Sequence, residues 1–308
     1  MPKQGGTRSA GGDWLQTLNA IFVLTNVFLR ALVNPALAPH LLADCARGLS
    51  SCGTVVHNQN DADLNCSAIT CVPATNRLAA AMDVLAAGAA GPNAAGRAYR
   101  IEVMADDPAG LPDEEMVRTL AVTAHGSFAA PVYVARRNVP AAAWAFARPM
   151  PWGRKGLSVG QTGPTLPFGG AECRGVAIEI GAPIVILKAR LEGVPDQALV
   201  RMCGAVGGAD SGFSDVGAYA AASEADGASL VVLEFGDLKR APLHRTLALL
   251  DVEARRYGGR LGAAALLSHV PLDALLDVLA AHTGLEAKRA QVLETHLAAM
   301  PLRPRLSS

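Results

Sequence analysis

Aromatic side chains make up only 5% of these 308 residues, and charge of neither sign is in excess, with 27 Lys and Arg against 27 Asp and Glu. A neutral chain lacks the broad basic surface that dominates nucleic-acid affinity, so nucleic acid is not expected as a partner. Long apolar runs are scarce. The stretch "AIFVLTNVFLRALV" is interrupted by Asn26 and Arg30 and is too short and too polar for a spanning helix. No small-residue cleavage site closes it, so neither a signal peptide nor a membrane anchor is expected, and the cytoplasm is the default. No C-x-x-C pair occurs among Cys45, Cys52, Cys66, Cys71, Cys173 and Cys203. Zinc-finger and thioredoxin-type readings lose their basis, and buried free thiols in a reducing compartment are expected instead. His125, His269, His282 and His296 lack metal-ligand spacing, so no metal and no role is assigned to them.

What is present is alternation of apolar strands and amphipathic helices in a chain that is 51% hydrophobic and 18% charged. Residues 1–18 open Gly-rich and read as a flexible lead-in. "NAIFVLTNV" (19–27) reads as a buried strand. "NPALAPHLLADCARGL" (34–49) reads as a helix capped by Asn34 with Pro35 at its first position. Strands follow at "GTVVHNQN" and "NCSAITCVP", then an Ala-rich helix "TNRLAAAMDVLAAGAAG" and a strand "AYRIEVMADD". The helix "PDEEMVRTLAVTAHGSF" carries acidic residues in its first turn, where the helix dipole favours them. "PVYVAR" is a further strand. The order is that of a split βαβ sandwich.

Residues 140–175 are rich in Gly and Pro and have no period, which suits a functional or lobe-joining loop. The second half then repeats the order. Strand "GAPIVILKARLE" is followed by helix "PDQALVRMCGAVG" and strands "VGAYAAASEAD" and "ASLVVLEFGD". Helix "PLHRTLALLDVEARRYG", strand "GRLGAAALLSH" and helix "PLDALLDVLAAHTG" complete it. The expectation is an α+β chain of two ferredoxin-like lobes, each a mostly antiparallel sheet backed by helices, over 19–173 and 174–308.

Pro242, Leu243 and His244, followed by Glu253, Ala254, Arg256, Tyr257 and Gly258, form a Pro-Leu-His helix start and a Glu-Ala-x-Arg-Tyr-Gly helix end. "LLSHVPLDALL" (266–276) and "QVLE" (291–294) follow. Together these resemble the C-terminal part of the formiminotransferase domain of glutamate formiminotransferases. "IGAPIVILKA" and "DSGFSDVGAYA" continue the likeness. In the first half, "DADLNCSAITCV" resembles a family loop and strand through Asp61 and Asn65, with Cys66 where Arg is usual. "RAYRIEVMADDP" resembles another family strand, with Arg97 and Glu102 in register.

The resemblance implies two packed lobes with a cleft for a reduced folate between them. It implies cytoplasmic one-carbon metabolism of the histidine-catabolic type, a homodimer, and tetrahydrofolate or a related reduced pterin as ligand. The reaction implied is transfer of a formimino or formyl group to a ring nitrogen. Folate contacts then fall on Asp61, Asn65, Arg97, Glu102, Arg174 and His244. Arg148, Arg154 and Lys155 form a basic cluster that either grips glutamate carboxylates or is a set of solvated loop charges, and Glu172 and Arg174 are either ligand contacts or a solvated pair.

The chain departs from the family where a basic loop supplies the catalytic His. Here that loop is "GPNAAG" (91–96), without His. The acidic group that orients that His is replaced by Gln59. His57, two residues earlier on the same strand, shares a face with Gln59 and is the candidate base. The alternative is a catalytically silent member of this fold acting as a binding, regulatory or assembly subunit.

Overall fold

The computed structural model of the chain describes residues 27–74, 77–89, 98–105, 110–128, 132–136, 175–207 and 212–292. Two βαββαβ units succeed one another. The first comprises β1 (Val27–Asn34), α1 (Pro39–Ser50), β2 (Gly53–Asp61), β3 (Cys66–Pro73), α2 (Leu78–Ala89) and β4 (Ala98–Ala105). Helix α3 (Glu114–Phe128) and strands β5 (Val132–Arg136) and β6 (Gly175–Gly181) extend it. The second comprises β7 (Val185–Glu192), α4 (Asp196–Val206), β8 (Val216–Ala222), β9 (Ser229–Phe235), α5 (Leu243–Arg256) and β10 (Arg260–Leu266), with α6 (Leu272–Thr283) appended.

The first sheet has the order β2-β3-β1-β4-β6-β5 and the second β10-β7-β9-β8. Within each unit, the fourth, first, third and second strands are neighbours in that order, and all of these pairs are antiparallel. The chain is therefore α+β with two ferredoxin-like sheets backed by helices, as the residue pattern predicts. Strand β6 pairs parallel to β4 and β5.

Strand alternation sorts the side chains into three apolar layers. Leu29, Ala31 and Val33 of β1 pack with Leu42, Cys45 and Leu49 of α1, Leu85 of α2 and Leu120 of α3. Leu187, Ala189, Val231 and Leu233 pack with Leu199 and Met202 of α4 and Leu250 and Ala254 of α5. The opposite faces of the two sheets meet each other through Leu32, Ala68, Ile186, Leu230 and Val232, with Cys66, Tyr219 and Leu267 beside them. The molecule is thus layered helix, sheet, sheet, helix. Helices α1 and α2 approach closely because Gly88 lacks a Cβ, which would strike the Cys45 sulfur. Cys45, Cys52, Cys66, Cys71 and Cys203 are free, buried thiols.

Three local expectations change. The first strand runs over Val27–Asn34, whereas the sequence pattern favours 19–27, most of which lies outside the described residues. The first helix begins at Pro39, not Pro35. Its buried stripe is Leu42, Cys45, Ala46 and Leu49, which starts only after the second proline. Asn34 does not cap it; its amide donates to the carbonyls of Leu64 and Asn65, each at 3.1 Å. Strand β6 was not expected. "GVAIEIG" and "VILKARLE" are separated only by a short Ala-Pro-containing break, and each joins a different sheet. The change of sheet therefore falls at residues 182–184, past the division at 173/174 read from the sequence.

Candidate functional site

The polar residues of interest lie on the face where the two sheets meet. In β2 the pairing register shifts between Val55 and His57, leaving Val56 as a bulge. A bulge reverses the facing of every residue after it. Val55 pairs with Cys71 and packs toward the helices. His57 and Gln59 pair with Thr70 and Ala68 and so face the other sheet. The shared face expected for His57 and Gln59 is present, and it is the inner one.

From His57 a polar row crosses the first sheet. His57 pairs with Thr70, Thr70 with Arg30, Arg30 with Glu102, and Glu102 with Glu179. Arg30 forms an ion pair with Glu102 and donates from both terminal nitrogens to the Ile184 carbonyl at 3.2 Å. The Arg100 Nε lies 3.0 Å from Glu102 and 2.9 Å from Glu179. Its other nitrogens contact Glu234 of β9 in the second sheet. Arg30, Arg100, Glu102 and Glu179 are at most 2% exposed. Burial alone would lower the Arg100 pKa, but Glu179, Glu234 and Glu102 outweigh it and raise it well above the usual range. Buried ions are tolerated only when paired in this way. Glu102, expected to contact a pterin, is engaged by two guanidinium groups.

At the open end of the row the His57 ring meets His269, which follows β10 in the second unit. Their centroids are 5.4 Å apart with an interplanar angle of 84°. Burial, and secondarily the Arg30 charge, pushes the His57 pKa below its ordinary value. His269 is lowered by burial, by His57 and by Arg30, partly offset by the Val56 carbonyl. Both rings are therefore held toward the neutral form. The Thr70 hydroxyl, deeper in the row, is buried and has no hydrogen-bond partner among the described residues.

Asp61 and Asn65 serve a second junction between the sheets. Lys188 of β7 lies 2.6 Å from Asp61 and 2.5 Å from Asp63. Arg190 contacts Asp63 at 2.9 Å and Asp226 at 2.5 Å. The Asn65 amide donates to Glu224 at 3.0 Å, and its backbone is left-handed at φ 45°. Hydrogen bonds from Lys188 and Ser223 hold the Asp63 carboxyl below its usual range.

His244 stands apart. It lies in the first turn of α5, on the helical face of the second sheet, and no described contact joins it to His57. Its Nδ1 is buried and has no hydrogen-bond partner among the described residues. Arg97 and Arg174 lie outside the described residues, as do Arg148, Arg154, Lys155 and Glu172. Among the described residues no group of three or more His, Cys, Asp or Glu side chains could hold a metal ion. None of their helices is long and apolar enough to cross a membrane.

Sequence reasoning passed over Arg30, Thr70, Arg100, Glu179, Glu234 and His269. The signal for most of them was available. "VFLRALVN", "GVAIEIG" and "SLVVLEF" each place one charge inside an apolar strand, and "AYRIEVMA" places two. A charge within a run that must be buried calls for a partner.

No family model matches this sequence, and no curated protein matches it either.

Proposed function

We propose that this chain is a formiminotransferase-like protein that binds a reduced folate or related pterin where its two lobes meet, with His57 as the proton-transferring group. The observation that carries the reading is the inward turn of His57 by the Val56 bulge, which sets a neutral imidazole at the seam between two ferredoxin-like lobes. A neutral imidazole with a lowered pKa is a competent base near neutral pH.

In this reading the pterin ring nitrogen attacks the formimino carbon of formiminoglutamate. His57 accepts the proton that the attacking nitrogen loses. The carbon–nitrogen bond to glutamate breaks, and His57 returns the proton to the departing glutamate nitrogen. The imidazole ends neutral, as it began. The resemblance also suggests a homodimer, which sedimentation of the full chain would test.

A second reading is a catalytically silent member acting as a binding, regulatory or assembly subunit. It is favoured by the engagement of Asp61, Asn65 and Glu102 in contacts that hold the chain together. Calorimetric titration with 5-formyltetrahydrofolate separates the two. Saturable binding in the micromolar range, lost in His57→Ala, supports the first. Absence of heat at millimolar ligand rejects it in favour of the second.

A further inference from the structure

The inner face of the first sheet carries one polar group that neither reading uses. Thr70 is 2% exposed, and its hydroxyl finds no partner among the described residues. In register it lies between His57 on β2 and Arg30 on β1. A buried hydroxyl left unpaired is destabilising and calls for an explanation. Beside it, the His57 ring makes an edge contact with His269 but no hydrogen bond among the described residues. A hydroxyl and an imidazole with unused capacity thus stand next to each other, where two lobes meet.

We infer that the His57 end of the seam is a binding site for a small oxyanion, a carboxylate or phosphate group, contacted by Thr70 and His57 and flanked by His269. Thr70 donates through its hydroxyl, and His57 donates through a ring N–H. Arg30, which is paired with Glu102, is the charged group next to Thr70 in the row.

The charged and titratable groups around the two rings support an anion over a cation. Strand β1 presents Arg30, and the loop after β10 presents His269. Strand β2 itself carries Gln59 and Asp61 on the same face, with Asp61 bound to Lys188 of β7. Glu102 of β4 and Glu179 of β6 lie beyond Arg30 in the row, and Glu234 of β9 faces Arg100. These carboxylates are engaged by the two guanidinium groups. Burial is the main cause of the lowered pKa of both rings, and the Arg30 charge adds to it. An arriving anion works against both and favours imidazolium, so binding takes up protons. His269 is exposed and His57 half-buried, so entry is from their side. The hydroxyl lies behind them, which limits the bound group to something small.

The proposal shares the assumption that the seam admits ligand at His57, but does not require that ligand to be a pterin. The test is a proton NMR titration of the histidine ring resonances of the full chain. Sodium acetate and sodium phosphate are added separately, at ionic strength matched with sodium chloride.

The expected result is saturable movement of the His57 and His269 signals, with the apparent pKa of at least one ring rising with anion. Binding is expected to be at least tenfold tighter at pH 6 than at pH 8. Thr70→Val should weaken it tenfold or more, while Thr70→Ser retains it. Saturation by acetate alone identifies a carboxylate site, and by phosphate alone a phosphate site.

Ring signals that move no more than in the chloride control overturn the proposal. So does a folded Thr70→Val protein that binds as tightly as the parent. Thr70→Val keeps the side-chain shape, and its thermal transition without ligand checks folding. Should it not fold, His57→Gln takes its place, again with a tenfold loss expected and unchanged binding counting against the site. Oxyanion saturation without 5-formyltetrahydrofolate binding would reject the pterin reading and leave this one standing. 5-Formyltetrahydrofolate binding that moves the His57 signal, with no response of either ring to acetate or phosphate, would do the opposite.

Discussion

Arg30 and Glu102 face each other on neighbouring strands, form an ion pair, and are 2% and 0% exposed. Arg30 also ties the start of the second unit to the first through the Ile184 carbonyl. The pair therefore fixes both strand register and the placement of one sheet on the other. Replacing Arg30 with Met should destabilise the protein by about 3–5 kcal/mol, because Glu102 keeps a buried charge with one fewer partner. The double variant Arg30→Met, Glu102→Leu should lose less than the sum of the single changes. Urea unfolding of the four proteins measures the coupling.

The His57 and His269 pair should make stability depend on pH. Both rings have pKa values below the ordinary 6.5. The unfolded chain therefore binds protons first as pH falls. Their contribution is complete above about pH 6.5 and declines below it, through the folded values. The thermal midpoint should fall between pH 7 and pH 5, and His57→Gln should flatten that slope. An unchanged slope in the variant would show that other groups set it.

Lys188 bridges two carboxylates at the second junction and is only 14% exposed. Lys188→Met should cost about 1.5–3 kcal/mol, the range for hydrogen bonds to charged groups. Hydrogen exchange should rise first at residues 62–65 and 223–228, which meet there through the Glu224 N–H to Asp63 carbonyl bond. The lowered Asp63 pKa gives a separate acid effect. Its stabilisation is present above the ordinary carboxylate value near 4 and is lost as pH falls through the folded value.

Gly88→Ala should destabilise the first unit, since the new methyl group meets the Cys45 sulfur. Overpacking of this kind costs about 1–3 kcal/mol. Cys45→Ala in the same chain should recover most of the loss, and thermal unfolding of the single and double variants would show whether it does.

The two-lobe α+β fold was legible because strand and helix periods alternate cleanly, and because turn residues such as Gly193 and Gly227 punctuate the second half. Strand β6 was not legible. Its apolar run is nearly continuous with that of β7, and only pairing distinguishes two short buried strands from one. The first strand was displaced because the apolar residues of 19–33 follow no strict alternation and give no phase.

The site was readable only in part. The common face of His57 and Gln59 follows from a period of two. That this face is the inner one depends on the Val56 bulge, which no local residue announces. His269 could not be matched to His57 from sequence, since they lie 212 positions apart and meet only through the packing of two sheets. The charges set in β1, β4, β6 and β9 were visible as exceptions within apolar strands, but their partners were not.

The free cysteines among the described residues divide among the layers of the molecule. Cys45, Cys52 and Cys71 lie beneath the helices of the first sheet, Cys66 between the sheets, and Cys203 beneath the helices of the second. Burial pushes Cys45 to about 11 and Cys66, Cys71 and Cys203 to about 12. Thiolate is the reactive form, so these groups are silent toward alkylating agents while the chain is closed. Each layer thus carries its own chemical reporter. The sequence in which the thiols become modifiable under mild denaturant would record whether the two sheets part before either one sheds its helices.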